Sequence, residues 1–392
     1  MNITRCILCV LLLCSPIAMA LGAQPAIGSK DQVLSAKLAT AILENDVDKV
    51  REMLENGLSP ETIIPKHLFQ DLHINDRIEA ETGHRYFFQS SSTPLALAAA
   101  LHSDPEVITM LLEAGADPER AVFQRRSALL ISAKCRGSIP VARVLLDHGA
   151  EVDTPDVGAT TPLIAACINA HPVEYIRFLL EAGANPNATT IGNRVTPLNS
   201  SARYHHNPAV IKLLLDYKAD VHAKGSGTNT VIGAACAWNT NIEFIDLLVE
   251  AGGQINLPNS IGRTPVMFAA IRQTPEVMLY LIDNGADLDH ADDYGETPLS
   301  IAALTNEPGV AITLINAGAW IESRDINGAT PLLKACKRDS LDMMIALLDA
   351  GANPLATDYR GDGMMEYAKL WNTTENVEQI ENLLEEELSK VP

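Results

Sequence analysis

The sequence predicts an all-α solenoid of stacked helix–turn–helix units joined by short hairpin turns. Two signals on one beat and a composition carry that expectation. A Thr-Pro-Leu triplet recurs at Thr93, Thr161, Thr196, Thr297 and Thr330, with a near copy at Thr264-Pro265-Val266. Degenerate copies at Ser127, Thr230 and Gly363 fill the gaps, so nine slots follow one another at intervals of 33 to 35 residues. The second signal is Gly-Ala followed by Asp, Asn or Glu, at Gly115, Gly149, Gly183, Gly285 and Gly351, each behind a leucine-rich stretch such as Leu347-Leu348-Asp349-Ala350. The chain is 47% hydrophobic and 20% charged, with Gly and Pro dispersed, as in ordered soluble proteins.

In chain order, the N-terminus reads differently from the rest. Arg5 precedes a run from Cys6 to Ile17 that is apolar apart from Ser15 and Pro16, and Ala18-Met19-Ala20 follows as a small-x-small pattern. That run is shorter than the roughly 20 residues a membrane span needs. Residues 1–20 are therefore read as a signal peptide cut after Ala20, with the mature chain periplasmic or secreted and the short leader pointing to a bacterial source. A lipoprotein reading through Cys14 is disfavoured by the leucines before it. No later stretch has the length of a membrane span.

Residues 21–62 are expected to hold a linker and an N-terminal capping unit, with a helix, a turn at Asn45-Asp46 and a second helix over Val47–Glu55. Between 63 and 92 the beat breaks. This insertion, with His67, Phe69, His73, His84, Tyr86, Phe87 and Phe88, is rich enough in aromatics to pack on the first repeats. About eight repeats follow over 93–362. Residues 363–392 form a C-terminal cap that loses Thr-Pro and ends at Glu385, Glu386 and Glu387, since a solenoid end needs a polar outer face.

Within a repeat, Thr-Pro is a helix entry. The Thr hydroxyl caps free N–H groups, and proline at the first helical position lacks an N–H that would be orphaned. Alanine pairs such as Ala98-Ala99, Ala269-Ala270 and Ala302-Ala303 let the first helix approach its neighbour closely. A second entry is visible at Asp104-Pro105, Asn207-Pro208 and Thr274-Pro275, and the second helix ends at the Gly of Gly-Ala.

This pattern resembles the ankyrin repeat, a unit of about 33 residues built as a turn and two antiparallel helices, over nearly all of the chain after residue 20. Two features depart from the family. The polar His after Thr-Pro-Leu is missing, with Ala96, Ile164, Met267 and Leu333 in or beside its place, and so is the Gly-His turn between helices. The polar ladder between repeats is accordingly expected to be weaker. The resemblance implies a non-enzymatic scaffold for protein–protein interaction, acting here outside the cytoplasm; the alternative is a regulatory or inhibitory subunit of a specific exported enzyme.

The residues show no phosphate loop, His-Glu-x-x-His, Cys-x-x-Cys or nucleophile elbow, so neither catalysis, a metal nor a cofactor is expected. His205-His206 reads as a solvated inter-helix loop, because adjacent residues point apart. Cys167, Cys236 and Cys336 sit six residues after their slots, on a packing position, and Cys135 sits eight after its own. Helices 8–10 Å apart do not bring such positions within disulfide reach, so four buried thiols are expected. The net charge of −20 argues against nucleic acid and disfavours anionic lipid as partners. The expected partner is another protein with a basic or mixed surface, bound by a monomer.

The binding face implied by the family is the concave one, formed by hairpin tips and the exposed side of the first helices. Counting eight residues from each slot gives Leu101, Cys135, Asn169, Tyr204, Trp238, Arg272, Thr305 and Arg338. Tyr204, Trp238 and Arg272 are hot-spot residue types at its centre. The column one residue earlier adds the cations Lys134, Arg203 and Lys337, and the tips add Ile261, Tyr294, Asn327 and Arg360.

Overall fold

The computed structural model describes residues 30–76 and 91–389, apart from 102, 121–124, 193, 226–229, 273, 306, 339 and 373. The expected signal peptide, the N-terminal part of the expected linker and His84, Tyr86, Phe87 and Phe88 of the expected insertion lie outside the described residues. Everything regular is helical, as expected; among the described residues the β-type pairing is a single bridge between Ile64 and Ser92. The chain divides into two compact units, up to Ile191 and from Gly192 on.

The first unit opens with α1 (Lys30–Glu44) and α2 (Val47–Glu55), then α3 (Lys66–Asp71), and continues in pairs: α4 (Pro94–Leu101) with α5 (Pro105–Glu113), α6 (Ala128–Lys134) with α7 (Ile139–Asp147), and α8 (Pro162–Ile168) with α9 (Val173–Glu181). First helices pack on first helices, α1 on α4, α4 on α6 and α6 on α8. The bridge joins the two ends of the predicted insertion, and its first part is packed, with Leu68, Phe69 and Ile74 buried.

The second unit repeats the scheme: α10 (Pro197–Tyr204) and α11 (Pro208–Asp216), α12 (Val231–Trp238) and α13 (Ile242–Glu250), α14 (Pro265–Arg272) and α15 (Pro275–Asp283), α16 (Pro298–Thr305) and α17 (Pro308–Asn316), α18 (Pro331–Lys337) and α19 (Leu341–Asp349), α20 (Met364–Trp371) and α21 (Thr374–Ser389). Helices α10, α12, α14, α16, α18 and α20 form one continuous layer, each packed on the next. Helices of seven to nine residues are unstable alone. Their stability comes from this layer, where α8 buries every residue from Pro162 to Cys167 and α12 every one from Val231 to Cys236. The second helices bury one side only, as α9 does with Tyr175, Ile176, Leu179 and Leu180.

The caps act as the slots predict. The side-chain oxygens of Ser127, Thr161, Thr196, Thr230 and Thr330 each accept the N–H three residues on. Thr264 departs from the rule: its hydroxyl is buried without a hydrogen bond, and its own N–H reaches the Met267 sulfur.

Between repeats the chain makes five-residue turns closed by an Asx side chain. Asp325 Oδ1, for example, accepts the N–H groups of both Asn327 and Ala329, and its own N–H bonds the Ala329 carbonyl. Asp156, Asn259, Asp292 and Asp358 repeat the arrangement. The fourth turn residue is left-handed and usually Gly. Gly328 (φ 85°) also sits so close to the Tyr359 ring that a Cβ would lie 2.7 Å from it. Arg125, Ala159 and Arg194 hold the same place, two residues before their slots, at φ 55°, 57° and 46°.

Polar side chains nevertheless link successive repeats. At the end of the first helices, side chains donate to carbonyls of the preceding repeat. Asn169 donates to Ala133 and Lys134, and His171 Nε2 lies 2.7 Å from the Ala133 carbonyl. Asn239 donates to His205, Thr305 to Ala270 and Asn372 to Cys336. These bonds use carbonyls that a helix C-terminus leaves without an internal partner. A backbone row runs along the turn tips, from Asp293 to Ile261, Ile326 to Tyr294 and Tyr359 to Asn327. A third row follows the Gly-Ala turns, where Asp287, Trp320 and Asn353 donate N–H to Asn256, Asp289 and Glu322.

Candidate protein-binding face

The predicted aromatic pair lies in the second unit. Tyr204 ends α10 and Trp238 ends α12, two helices in contact. Between the rings stands Arg203, whose guanidinium carbon is 4.6 Å from the Trp238 ring centre and 5.2 Å from that of Tyr204. One cation thus holds both rings, while Tyr204 and Trp238 remain 40% and 44% exposed. A cation over an exposed ring contributes about 0.5–1 kcal/mol, which favours the observed orientation by a few-fold before anything binds.

The same unit recurs where counting stopped too early. Lys337 Nζ lies 4.4 Å from the centre of the Trp371 ring, and Trp371 is 59% exposed. Trp371 is eight residues after Gly363, the same register as Trp238, and Lys337 is seven after Thr330, the same register as Arg203. The degenerate Gly363 slot hid it; carrying the count into the cap would have found it. Helices α18 and α20, which bear the pair, are also neighbours in the layer.

Other predicted residues fall apart from this pattern. Arg272 is the last residue of α14, in the middle of the layer, but its side chain lies outside the described set. Arg338 is exposed, and its guanidinium Nε donates to the Leu304 carbonyl at 2.5 Å, so part of its donor capacity serves the inter-repeat ladder. Lys134, in the first unit, is not a free groove cation. Its Nζ lies 3.0 Å from Asp156 Oδ2, the turn carboxylate, where it braces that turn. Cys135 is the clear correction to the counted column. It is fully buried, because α6 stops at Lys134 and the backbone leaves the helix at Cys135, with ψ −107°.

Of the tip residues named from sequence, Ile261 is half-buried in its turn. Tyr294, Asn327 and Arg360 are exposed at successive turns. The backbone carbonyls of Tyr294 and Asn327 accept the tip-to-tip bonds. Beside them the sequence count passed over Ile326 and Tyr359, which expose 61% and 71% of their surface. They follow the turn Asp directly, a register visible only once the Asx turn is known.

A buried charge cluster underlies the tips. Lys334 Nζ sits between Glu296 and Asp325, at 2.8 Å from Asp325 Oδ2, and ties two consecutive turns together. Burial works against the charge of Asp325. The Lys334 ammonium and the N–H groups of Ala329 and Asn327 outweigh it and hold the carboxyl below its usual range. Asp156 and Asp358 are lowered in the same way, against burial, by turn N–H groups together with Lys134 in one case and the Tyr367 hydroxyl in the other.

The described cysteines lie in the core. No disulfide joins Cys135, Cys167, Cys236 and Cys336, and all four are buried. Burial pushes the Cys135 and Cys336 thiols up to about 12, so they stay protonated and unreactive. Among the described residues no group of three His, Cys, Asp or Glu could hold a metal ion. His205 corrects the reading of a solvated pair: its side chain is buried and only His206 is exposed, because the inter-helix loop is drawn in by the Asn239 amide on the His205 carbonyl. Among the described residues no helix is long and apolar enough to cross a membrane.

Comparison with known proteins agrees with the register. The family model "Ankyrin repeats (3 copies)" matches residues 95–190, 155–225 and 231–325, and "Ankyrin repeat" matches 327–359. Among similar proteins, human "Ankyrin repeat and SOCS box protein 16" is 31% identical over 228 residues, covering 47% of this chain and 49% of the relative. Human "SH3 and multiple ankyrin repeat domains protein 2" is 28% identical over 235 residues, 60% of this chain and 11% of that protein. Human "Transient receptor potential cation channel subfamily A member 1" is 32% identical over 139 residues, 35% of this chain and 12% of the channel. The chain therefore spans less than half the length of each. Matched by these models over more than half its length, on a stack whose caps, turns and left-handed positions keep the same beat, the chain belongs to the ankyrin-repeat family.

Proposed function

We propose that this protein is a non-enzymatic binding scaffold that acts outside the cytoplasm and captures another protein on the first-helix face of its second unit. The observation that carries the reading is the repeated cation–ring pair, Arg203 on Trp238 and Lys337 on Trp371. An exposed indole biased toward one orientation by a cation presents a large apolar surface with less entropy to lose on binding, which is the character of interface hot spots. Tyr294, Asn327 and Arg360 at the tips, with Ile326 and Tyr359, extend the face toward the turns.

The test is affinity capture from the native compartment with wild type beside a Tyr204→Ala/Trp238→Ala variant. Both rings are half exposed, so the variant should lose only about 1–2 kcal/mol of stability while its captured partner disappears. An unchanged partner set would refute the face.

Export rests on Arg5, the apolar run to Ile17 and Ala18-Met19-Ala20, and the shortness of that leader supports a bacterial source. Protein isolated from its host should begin at Leu21 by mass spectrometry; a retained Met1 would sink this part of the proposal.

A further inference from the structure

The second helices of the second unit change character along the stack. Their fifth residue faces away from the packed layer. At this position α11 carries the exposed Lys212, and α13 carries the half-buried Asp246, whose carboxylate accepts the Tyr280 hydroxyl. The next three helices carry Leu279, Ile312 and Ile345, which are 49%, 44% and 43% exposed. Helix α15 packs on α17 and α17 on α19, so the three side chains form one apolar row on consecutive rungs. The core needs none of them: α15 buries Val277, Met278 and Leu281, and α17 buries Val310, Ala311 and Leu314.

The flanks of the row are acidic. Glu276, Leu279 and Asp283 are spaced i, i+3, i+7, and so are Asp342, Ile345 and Asp349, which puts each trio on one exposed helix face. Helix α17 fills the same places with Gly309 and Asn316, and none of the three helices contains Lys or Arg. The row therefore runs between two lines that carry only negative charge.

We propose that this row is a second docking surface, on the opposite side of the repeats from the cation–ring face, and that its occupant is a basic amphipathic helix of another protein. Neighbouring helices stack about 8–10 Å apart, and a helix advances 1.5 Å per residue. A partner helix laid along the row meets successive rungs about every five to seven residues, and the seven-residue spacing at the wide end of that range keeps one helix face on the row. Its apolar stripe covers Leu279, Ile312 and Ile345, and Lys or Arg on both sides of that stripe meets Glu276 and Asp342 on one flank, Asp283 and Asp349 on the other. A second copy of this chain is the poorer occupant, because it brings the same carboxylates face to face. An anionic membrane is repelled by those carboxylates and by the net charge of −20.

The probe is a fluorescein-labelled synthetic helix of about 18 residues, long enough to cover three rungs, with leucine at every seventh position of its apolar stripe and lysine on both flanks. It is titrated into the full chain by fluorescence anisotropy. A scrambled peptide of identical composition controls for charge alone. The patterned peptide should bind at least about tenfold tighter than the scrambled one. The charge-neutral variant Leu279→Ser/Ile312→Ser/Ile345→Ser should remove that advantage, and Tyr204→Ala/Trp238→Ala should not. If the triple variant loses helical content, Ile312→Ser alone, in the central rung, should still weaken binding several-fold. Equal binding of patterned and scrambled peptides overturns the proposal, as does a folded Ser variant that binds like wild type. So does a wild-type dimer in sedimentation that Ile312→Arg dissociates, which would make a second copy the occupant.

Discussion

Asp325 uses both oxygens of one carboxylate: Oδ1 closes its own turn, and Oδ2 receives the Lys334 ammonium that also holds Glu296. Its folded pKa lies below the ordinary value, so its stabilising contribution is complete above the unfolded pKa of about 4 and fades as pH falls through the folded value. Thermal scans should show the melting temperature dropping from about pH 4 downward. The Asp325→Asn variant should start lower at neutral pH and lose less on acidification. Parallel wild-type and variant curves would show that the carboxylate is not coupled to folding. Little of this was legible in sequence. Lys334 and Glu296 stand 38 positions apart, and no local pattern marks them as partners. The same holds for Lys134, whose register suggested an open groove while its ammonium was committed to Asp156.

At the scale of the element, what is local was legible. Proline at the first turn, a hydroxyl before it and glycine after the last turn fixed the helix starts and stops, and α2 falls over Val47–Glu55 as expected. Positions where the chain leaves the helix were not. Cys135 and His205 were misplaced because the end of a seven- or eight-residue helix depends on the neighbour that receives it. The links between repeats show this most clearly, since Asn239 is an ordinary loop residue in sequence and a buried donor in the fold. Asn239→Ala removes the partner of the His205 carbonyl and should cost about 1–3 kcal/mol, measured by urea unfolding followed through helical circular dichroism. A loss under about half a kcal/mol would mean that the carbonyl finds another donor.

For the whole molecule, the fold was legible because a repeat announces itself many times, so individual errors average out. The proposed binding face was only half legible. Tyr204 and Trp238 came from counting, but the cation between them, and its recurrence at Lys337 and Trp371, needed the packed layer to bring neighbouring repeats together. If the repeated cation–ring pair is the proposed recognition unit, one partner should touch both sites, a demand that a single aromatic patch does not make. The direct measurement is the dissociation constant of the captured partner for wild type, for Tyr204→Ala/Trp238→Ala and for Trp371→Ala. A weakening of about tenfold or more at each site, with melting temperatures little changed, is the expected result. Wild-type affinity in all three folded proteins would contradict the assignment of this face.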